Sequence, residues 1–144
     1  MRLSSRYGGD PGNVILFTVL YDTGSSTLTL HMGDLLAIGF VPGPNITDGS
    51  YRGFTDPVDM STSTGLSTRY GLLVECRVVK IDQTPLTPWY WEFATLYPLN
   101  TPVNAPRLSG RNMKRLLYFA TAPGQAPLYV SQKKSGLASL LPTI

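Results

Sequence analysis

Asp22-Thr23-Gly24-Ser25-Ser26 is the stretch of this chain whose residue types and order could do chemistry. Residues 14–21 before it are nearly all apolar, so a carboxylate stands where a strand covered on both faces should end. Thr, Gly and Ser in the next places suit a compact turn that bonds to itself. Gly24 lets the backbone come close and offers its N–H to the Asp22 carboxylate. Ser25 is placed to donate to the outer oxygen of the same carboxylate, and the Thr23 hydroxyl to tie the loop to a symmetry mate. The plain alternative is an ordinary turn in which aspartate favours the bend. That alternative leaves the apolar strand and the paired serines without a reason.

Other reactive constellations are poorly supplied. His31 is the only histidine and has no Cys or His at ligand spacing, which argues against a metal and for a surface or satisfied core histidine. No Gly-x-Ser-x-Gly motif accompanies it, so a Ser–His–Asp hydrolase is equally unsupported. The chemistry at Asp22 calls for no cofactor. Cys76, the only cysteine, excludes an internal disulfide and reads as a small buried thiol in an apolar run.

The elements that must position Asp22 read as short strands and tight turns, because 14 glycines and 12 prolines punctuate the chain. Strands are expected over residues 14–21, 27–31, 72–81 and 89–97. A short helix fits residues 32–40, with Leu35, Leu36 and Ile38 turned inward and Gly39 near its end. Residues 41–70 are rich in Gly, Pro, Ser, Thr and Asp and should contain a long hairpin with Asp48, Gly49 and Ser50 at its tip. Residues 112–119 read as a second helix with Asn112 as N-cap. Ala122, Pro123 and Gly124 then turn the chain into Leu128, Tyr129 and Val130. Alternation in a buried strand accounts for Trp89, Tyr90, Trp91 and Phe93. The sum is one mainly β domain over residues 1–144, closed or partly closed as a barrel, with one or two short helices.

Two apolar residues followed by Asp22-Thr23-Gly24-Ser25 resemble the signature of aspartic peptidases. The downstream pattern, Thr27-Leu28-Thr29-Leu30 and then residues 34–40, is similar to the retropepsin-like group. Residues 107–113 (Arg-Leu-Ser-Gly-Arg-Asn-Met) resemble the retropepsin element of two hydrophobic residues, Gly, Arg and Asn or Asp that leads into a helix. Ser109 stands there in place of the second hydrophobic residue. The likeness covers residues 14–40 and 108–119, and the middle of the chain is compatible only in length and pattern.

This resemblance implies a retropepsin-like acid-protease barrel. In that family the segment matched by Leu108, Gly110, Arg111 and Asn112 threads the active-site loop and supports it. The implied reaction uses two carboxylates that share a proton, one acting as base on a water while the protonated partner polarises the scissile carbonyl. No second Asp-Thr-Gly or Asp-Ser-Gly exists in this chain, so the resemblance implies a homodimer with one Asp22 from each copy. The implied substrate is an extended polypeptide, paired through its main chain beneath a covering hairpin, with apolar side chains in alternate pockets. Gly49, Tyr51, Gly53 and Phe54 are the expected covering residues. The donor from Ser25 predicts an acidic pH optimum. The alternative function is a retropepsin-like dimerisation or peptide-binding module with weak or absent cleavage, suggested by Ser109 and by a long tail after Phe119.

Composition narrows the other classes. At 42% hydrophobic and 15% charged residues the chain is apolar enough to fold rather than remain a disordered tail. The net charge of +3 comes from scattered Lys and Arg, densest at Arg111, Lys114 and Arg115 and at Lys133 and Lys134. Nucleic-acid binding needs such charges gathered on one face, so none is expected. No window reaches the length of a membrane span, and residues 1–9 lack the apolar run of a signal peptide. The sequon Asn45-Ile46-Thr47 would matter only in the secretory pathway. The expectation is a soluble, intracellular and cytoplasmic protein.

Overall fold

The computed structural model describes residues 1–62, 65–122, 124 and 128–142. In chain order the elements are β1 (Leu28–Leu30), α1 (Met32–Ala37), β2 (Val58–Thr62), β3 (Gly65–Arg69), β4 (Gly71–Cys76), β5 (Tyr90–Leu96), α2 (Arg111–Leu116), β6 (Tyr118–Thr121), β7 (Leu128–Ser131) and α3 (Lys134–Leu140). The strands form one three-stranded sheet, ordered β1-β5-β4, and two hairpins, β2-β3 and β6-β7. The protein is therefore mainly β, and no sheet among the described residues closes into a barrel.

β5 is the centre of the larger sheet. It runs parallel to β1 and antiparallel to β4, so Ala94 sits between Leu28 and Leu72. Leu28, Leu30, Leu72, Val74, Ala94 and Leu96 are all buried and form one core with Leu3, Phe40 and Tyr51. α1 closes this core. Its first turn is capped by Asp34, whose carboxylate accepts the His31 N–H at 2.9 Å. Its exit is Gly39, in the left-handed region at φ 86°. Leu35 and Ile38 are buried, but Leu36 is 49% exposed, because residues three apart share a helix face and their neighbour does not.

Several expected elements take a different form. Residues 14–19 form no strand and Leu20 makes a single bridge to Leu108; the segment is covered on one side only, with Ile15, Phe17 and Val19 half-buried and Leu16 and Leu20 68% and 55% exposed. Alternation of this kind belongs to an edge rather than to a strand enclosed on both faces. The expected tip at Asp48, Gly49 and Ser50 is instead a 3-10 turn over Ile46–Asp48, and the hairpin of this region is β2-β3, paired from Val58↔Arg69 to Thr62↔Gly65. β4 ends at Cys76, five residues short of the expected strand. Burial pushes the Cys76 thiol up to about 12.

Of the aromatics Trp89, Tyr90, Trp91 and Phe93, Tyr90 shares the face of β5 that packs on the core and the others do not. Period-two alternation gives that face to Glu92, Ala94 and Leu96, leaving Trp91 38% exposed. Trp89 is a platform for two cations, Arg2 at 4.2 Å and Arg77 at 4.7 Å from its ring centre. The second helix stops at Leu116 and Tyr118 already belongs to β6. Of the expected turn beyond it, Pro123 lies outside the described residues. Among the described residues no helix is long and apolar enough to cross a membrane.

Candidate active site

Leu20 carries the edge segment into the Asp22 turn, and a second segment is threaded through that turn. Leu20 N–H donates to Arg107 O at 2.7 Å and Ser109 N–H returns a bond to Leu20 O at 2.9 Å. On the far arm, Thr29 N–H donates to Leu108 O at 3.2 Å, and Leu108 N–H donates to the Thr29 hydroxyl at 2.6 Å. Residues 107–109 thus lie between the two arms of the 20–29 loop and bond to both. Arg107 fastens them to α1 through a bidentate pair with the buried carboxylate of Asp34, at 2.8 and 2.6 Å. That pairing holds the Arg107 guanidinium above its ordinary value.

At the turn itself, Gly24 N–H donates to Asp22 Oδ1 at 2.8 Å. A side chain at Gly24 would crowd the same oxygen at 3.3 Å, so the close backbone approach expected from the sequence is present. Asp22 N–H donates to the Ser109 hydroxyl at 3.1 Å, and Ser109 is fully buried. The residue that breaks the hydrophobic pattern therefore holds the carboxylate-bearing residue by its backbone. Ser25 departs from expectation: its hydroxyl donates to Thr27 O at 2.7 Å, closing the turn rather than serving the carboxylate. Thr23 is exposed at the tip, and Asp22 is partly exposed.

α2 supports the turn from behind. Lys114 Nζ donates to Asp22 O at 2.8 Å, to Thr23 O at 3.4 Å and also to Ser25 O. One ammonium group thereby gathers three carbonyls of a five-residue turn, as many as it has donors. The helix that carries Lys114 is fixed by Glu92 of β5, whose buried carboxylate accepts Asn112 N–H at 3.2 Å and Met113 N–H at 3.0 Å. These are orphan donors of the first turn, and a carboxylate is the strongest acceptor for them. Burial raises the Glu92 carboxyl above its ordinary value, against the pull of those N–H groups and of the Lys114 charge. Gly110 makes this contact possible, because a Cβ there would lie 2.3 Å from Glu92 Cδ.

The expected support residues are thus divided. Leu108 threads the loop, Gly110 admits Glu92, and Asn112 uses its side chain to donate to Trp91 O at 2.8 Å rather than to cap the helix. The N-cap position is Gly110, without a side-chain bond of its own. Arg111 is exposed. The four expected covering residues do not gather over Asp22. Tyr51 is fully buried, with its hydroxyl donating to Leu73 O at 2.5 Å. Gly49 abuts Phe40, Gly53 abuts the Tyr51 ring, and Phe54 packs on the core and bridges Leu72. A large aromatic among glycines reads as a flap in sequence, but here the glycines make room for a core tyrosine.

What faces Asp22 is β2-β3. A groove of about 440 Å³ is lined on one side by Asp22, Gly24 and Ser25 and on the other by Met60, Thr62 and Arg69. Thr27, Thr29, Tyr97 and Leu108 also line it. Ser, Thr and Tyr make up more than half of its lining residues, though the Thr27 and Thr29 hydroxyls are engaged with Thr95 and with Leu108 N–H. His31 is satisfied elsewhere: its Nε2 lies 2.9 Å from Ala105 O and its ring packs on Tyr97 at 4.9 Å. The roles of Lys114, Ser109 and Glu92 went unrecognised in the sequence, and the hairpin expected within residues 41–70 lies at 58–69 rather than around Asp48. The charged Glu92 within an aromatic strand was the signal open to reading. Comparison of the chain with protein-family models, with curated proteins and with solved structures finds no match.

Proposed function

We propose that the chain is one half of a retropepsin-like aspartic endopeptidase, which hydrolyses peptide bonds of extended polypeptides as a homodimer. In this reading Asp22 from each of two copies shares a proton and holds a water. One carboxylate takes a proton from the water as it attacks the scissile carbonyl, and the protonated partner donates to the carbonyl oxygen. The observation that carries it is the groove between the Asp22 turn and β2-β3, with residues 107–109 threaded between the arms of that turn. The hairpin edge would pair with the substrate main chain, as extended peptides do when added to exposed strands.

The dimer completes the site. Around it, Thr23 is exposed at the turn, and Leu66, beside the tip of β2-β3, is 83% exposed. A second copy would cover such groups about a two-fold axis and complete the β-barrel type to which the family likeness points. Activity is expected to peak at acidic pH because the reaction needs one carboxylate protonated and one ionised. That expectation rests on the shared proton, since the Ser25 hydroxyl is engaged with Thr27 O.

The test is digestion of unfolded casein between pH 3 and 6, with and without pepstatin, by the native chain and by Asp22→Asn. Cleavage should be abolished by the substitution and by the inhibitor. Cleavage that survives Asp22→Asn removes Asp22 from the mechanism. Binding of unfolded chains without cleavage would assign the fold to peptide capture instead.

A further inference from the structure

Arg69 is the cation of the groove, and its surroundings prepare it for a ligand. It lies on the inner face of β3, opposite Val58 in the hairpin register. Its guanidinium carbon stands 5.1 Å from the centre of the Tyr97 ring. Tyr97 is itself fixed, its hydroxyl donating to Pro106 O at 2.7 Å and its ring packed on His31. Arg69 Nε–H has one long bond, to the Ser67 hydroxyl at 3.4 Å. No carboxylate neutralises it among the described residues. Arg2 and Arg107 have Glu75 and Asp34, and the nearest acid on the hairpin, Asp59, accepts from the Thr68 hydroxyl on the outer face. Among the described residues its terminal amino groups have no partner, and an arginine so held over an aromatic ring presents a planar fork that matches a carboxylate.

We propose that Arg69 is a specificity-determining residue that selects polypeptides bearing an Asp or Glu side chain close to the bond to be cut. The inference rests on the peptidase reading and names its substrate class. The rest of the lining agrees with it. Ser26 and Ser61 bring hydroxyl groups, and only Met60 and Leu108 are apolar among the lining residues, while the buried Thr27 and Thr29 hydroxyls are engaged with Thr95 and with Leu108 N–H. A groove so lined offers hydrogen bonds to short polar side chains and little to large apolar ones. Discrimination is strong where a site is built to bond a polar group, because the analogue lacking that group leaves the site unpaired.

The experiment uses a peptide library with Asp, Asn, Glu, Gln, Lys and Ala varied at each of three positions on either side of the scissile bond. The native chain and Arg69→Ala, Arg69→Lys and Arg69→Glu are compared, with circular dichroism confirming that each variant is folded. At one position the native chain should prefer Asp over Asn or Glu over Gln by about tenfold in kcat/KM, the worth of one charge-assisted bond at a partly exposed site. Arg69→Ala should bring that ratio near one, Arg69→Lys should keep part of it, and Arg69→Glu should turn the preference toward Lys. Cleavage without an acidic preference, or a preference that persists in Arg69→Ala, overturns the inference and leaves the peptidase reading intact. If the native chain cleaves nothing, the peptidase reading fails. Binding of fluorescein-labelled acidic and amide peptides to the native and Arg69→Ala chains then decides the inference. Tighter acidic binding that depends on Arg69 supports it, and equal binding overturns it.

Discussion

Replacing Gly110 by alanine places one methyl group against the buried carboxylate that holds α2. The new Cβ would lie 2.3 Å from Glu92 Cδ and 2.6 Å from each oxygen. Ordinary contact begins near 3.4 Å, so the carboxylate or the helix must retreat by roughly 1 Å. The bonds from Asn112 and Met113, now 3.2 and 3.0 Å, would then pass out of hydrogen-bonding range. Two bonds to a charged acceptor are worth about 1.5–3 kcal/mol each, and partial relaxation of the helix recovers some of that. The backbone adds no penalty, since φ −79° and ψ 172° suit alanine, and the loss of a glycine stabilises by about 0.4–1 kcal/mol. The net expectation is a loss of about 3 kcal/mol, or about 6–12 °C in Tm for a chain of this size. Urea unfolding of Gly110→Ala measures it directly. The same substitution in a Glu92→Ala background should cost about 2 kcal/mol less, because the crowded group is gone. A cost below about 1 kcal/mol, or an equal cost in both backgrounds, would refute the assignment of Glu92 as the acceptor that fixes α2.

Glu92 also sets a pH dependence. Its carboxyl is held above the ordinary 4.5, so its contribution to stability is fully present below that value and is lost as pH rises through the folded-state value. Glu92→Gln should flatten the rise in Tm that the native chain shows on acidification from neutral pH toward 4.5; an unchanged slope would assign the rise to other groups. Lys114→Met keeps the stem and removes the three donors, so kcat should fall about tenfold with KM changed less, as expected when a turn is positioned rather than a substrate bound. Activity within twofold of native would remove Lys114 from that role. Ser109→Ala leaves the partly buried Asp22 N–H without its acceptor and should cost about 1 kcal/mol in urea unfolding.

Much of the arrangement around Asp22 was legible because it is written in local terms. A carboxylate and a glycine two residues apart specify a tight turn, and the Gly24–Asp22 bond spans two residues, whereas the apolar run before them forms no strand. Helix α1 was legible for the same reason, with Gly39 marking its exit. The contacts that tie the turn to the rest of the molecule span 87 residues for Ser109 and 92 for the Lys114 bond to Asp22 O, and no periodicity in one sequence reports a pairing at such range. Ser109 illustrates how a local pattern misleads. Read against apolar neighbours it is a defect in packing, yet its hydroxyl is the acceptor for a partly buried backbone donor.

The covering hairpin was misplaced for a related reason. Glycines around an aromatic residue suit a flap and a crowded core equally well. What separates the two cases is whether the ring has a buried partner. Tyr51 has one in Leu73 O, on a strand whose register could not be read from residues 41–70. The strand that does form the hairpin, Val58–Thr62, alternates half-buried Val58, Met60 and Thr62 with exposed Asp59 and Ser61. Its weak hydrophobic signal and the polar groove have one cause. In the proposed reading, a hairpin that accompanies a substrate main chain and its acidic side chain presents polar groups such as Arg69 to the groove, and the same polar residues weaken its signal in the sequence.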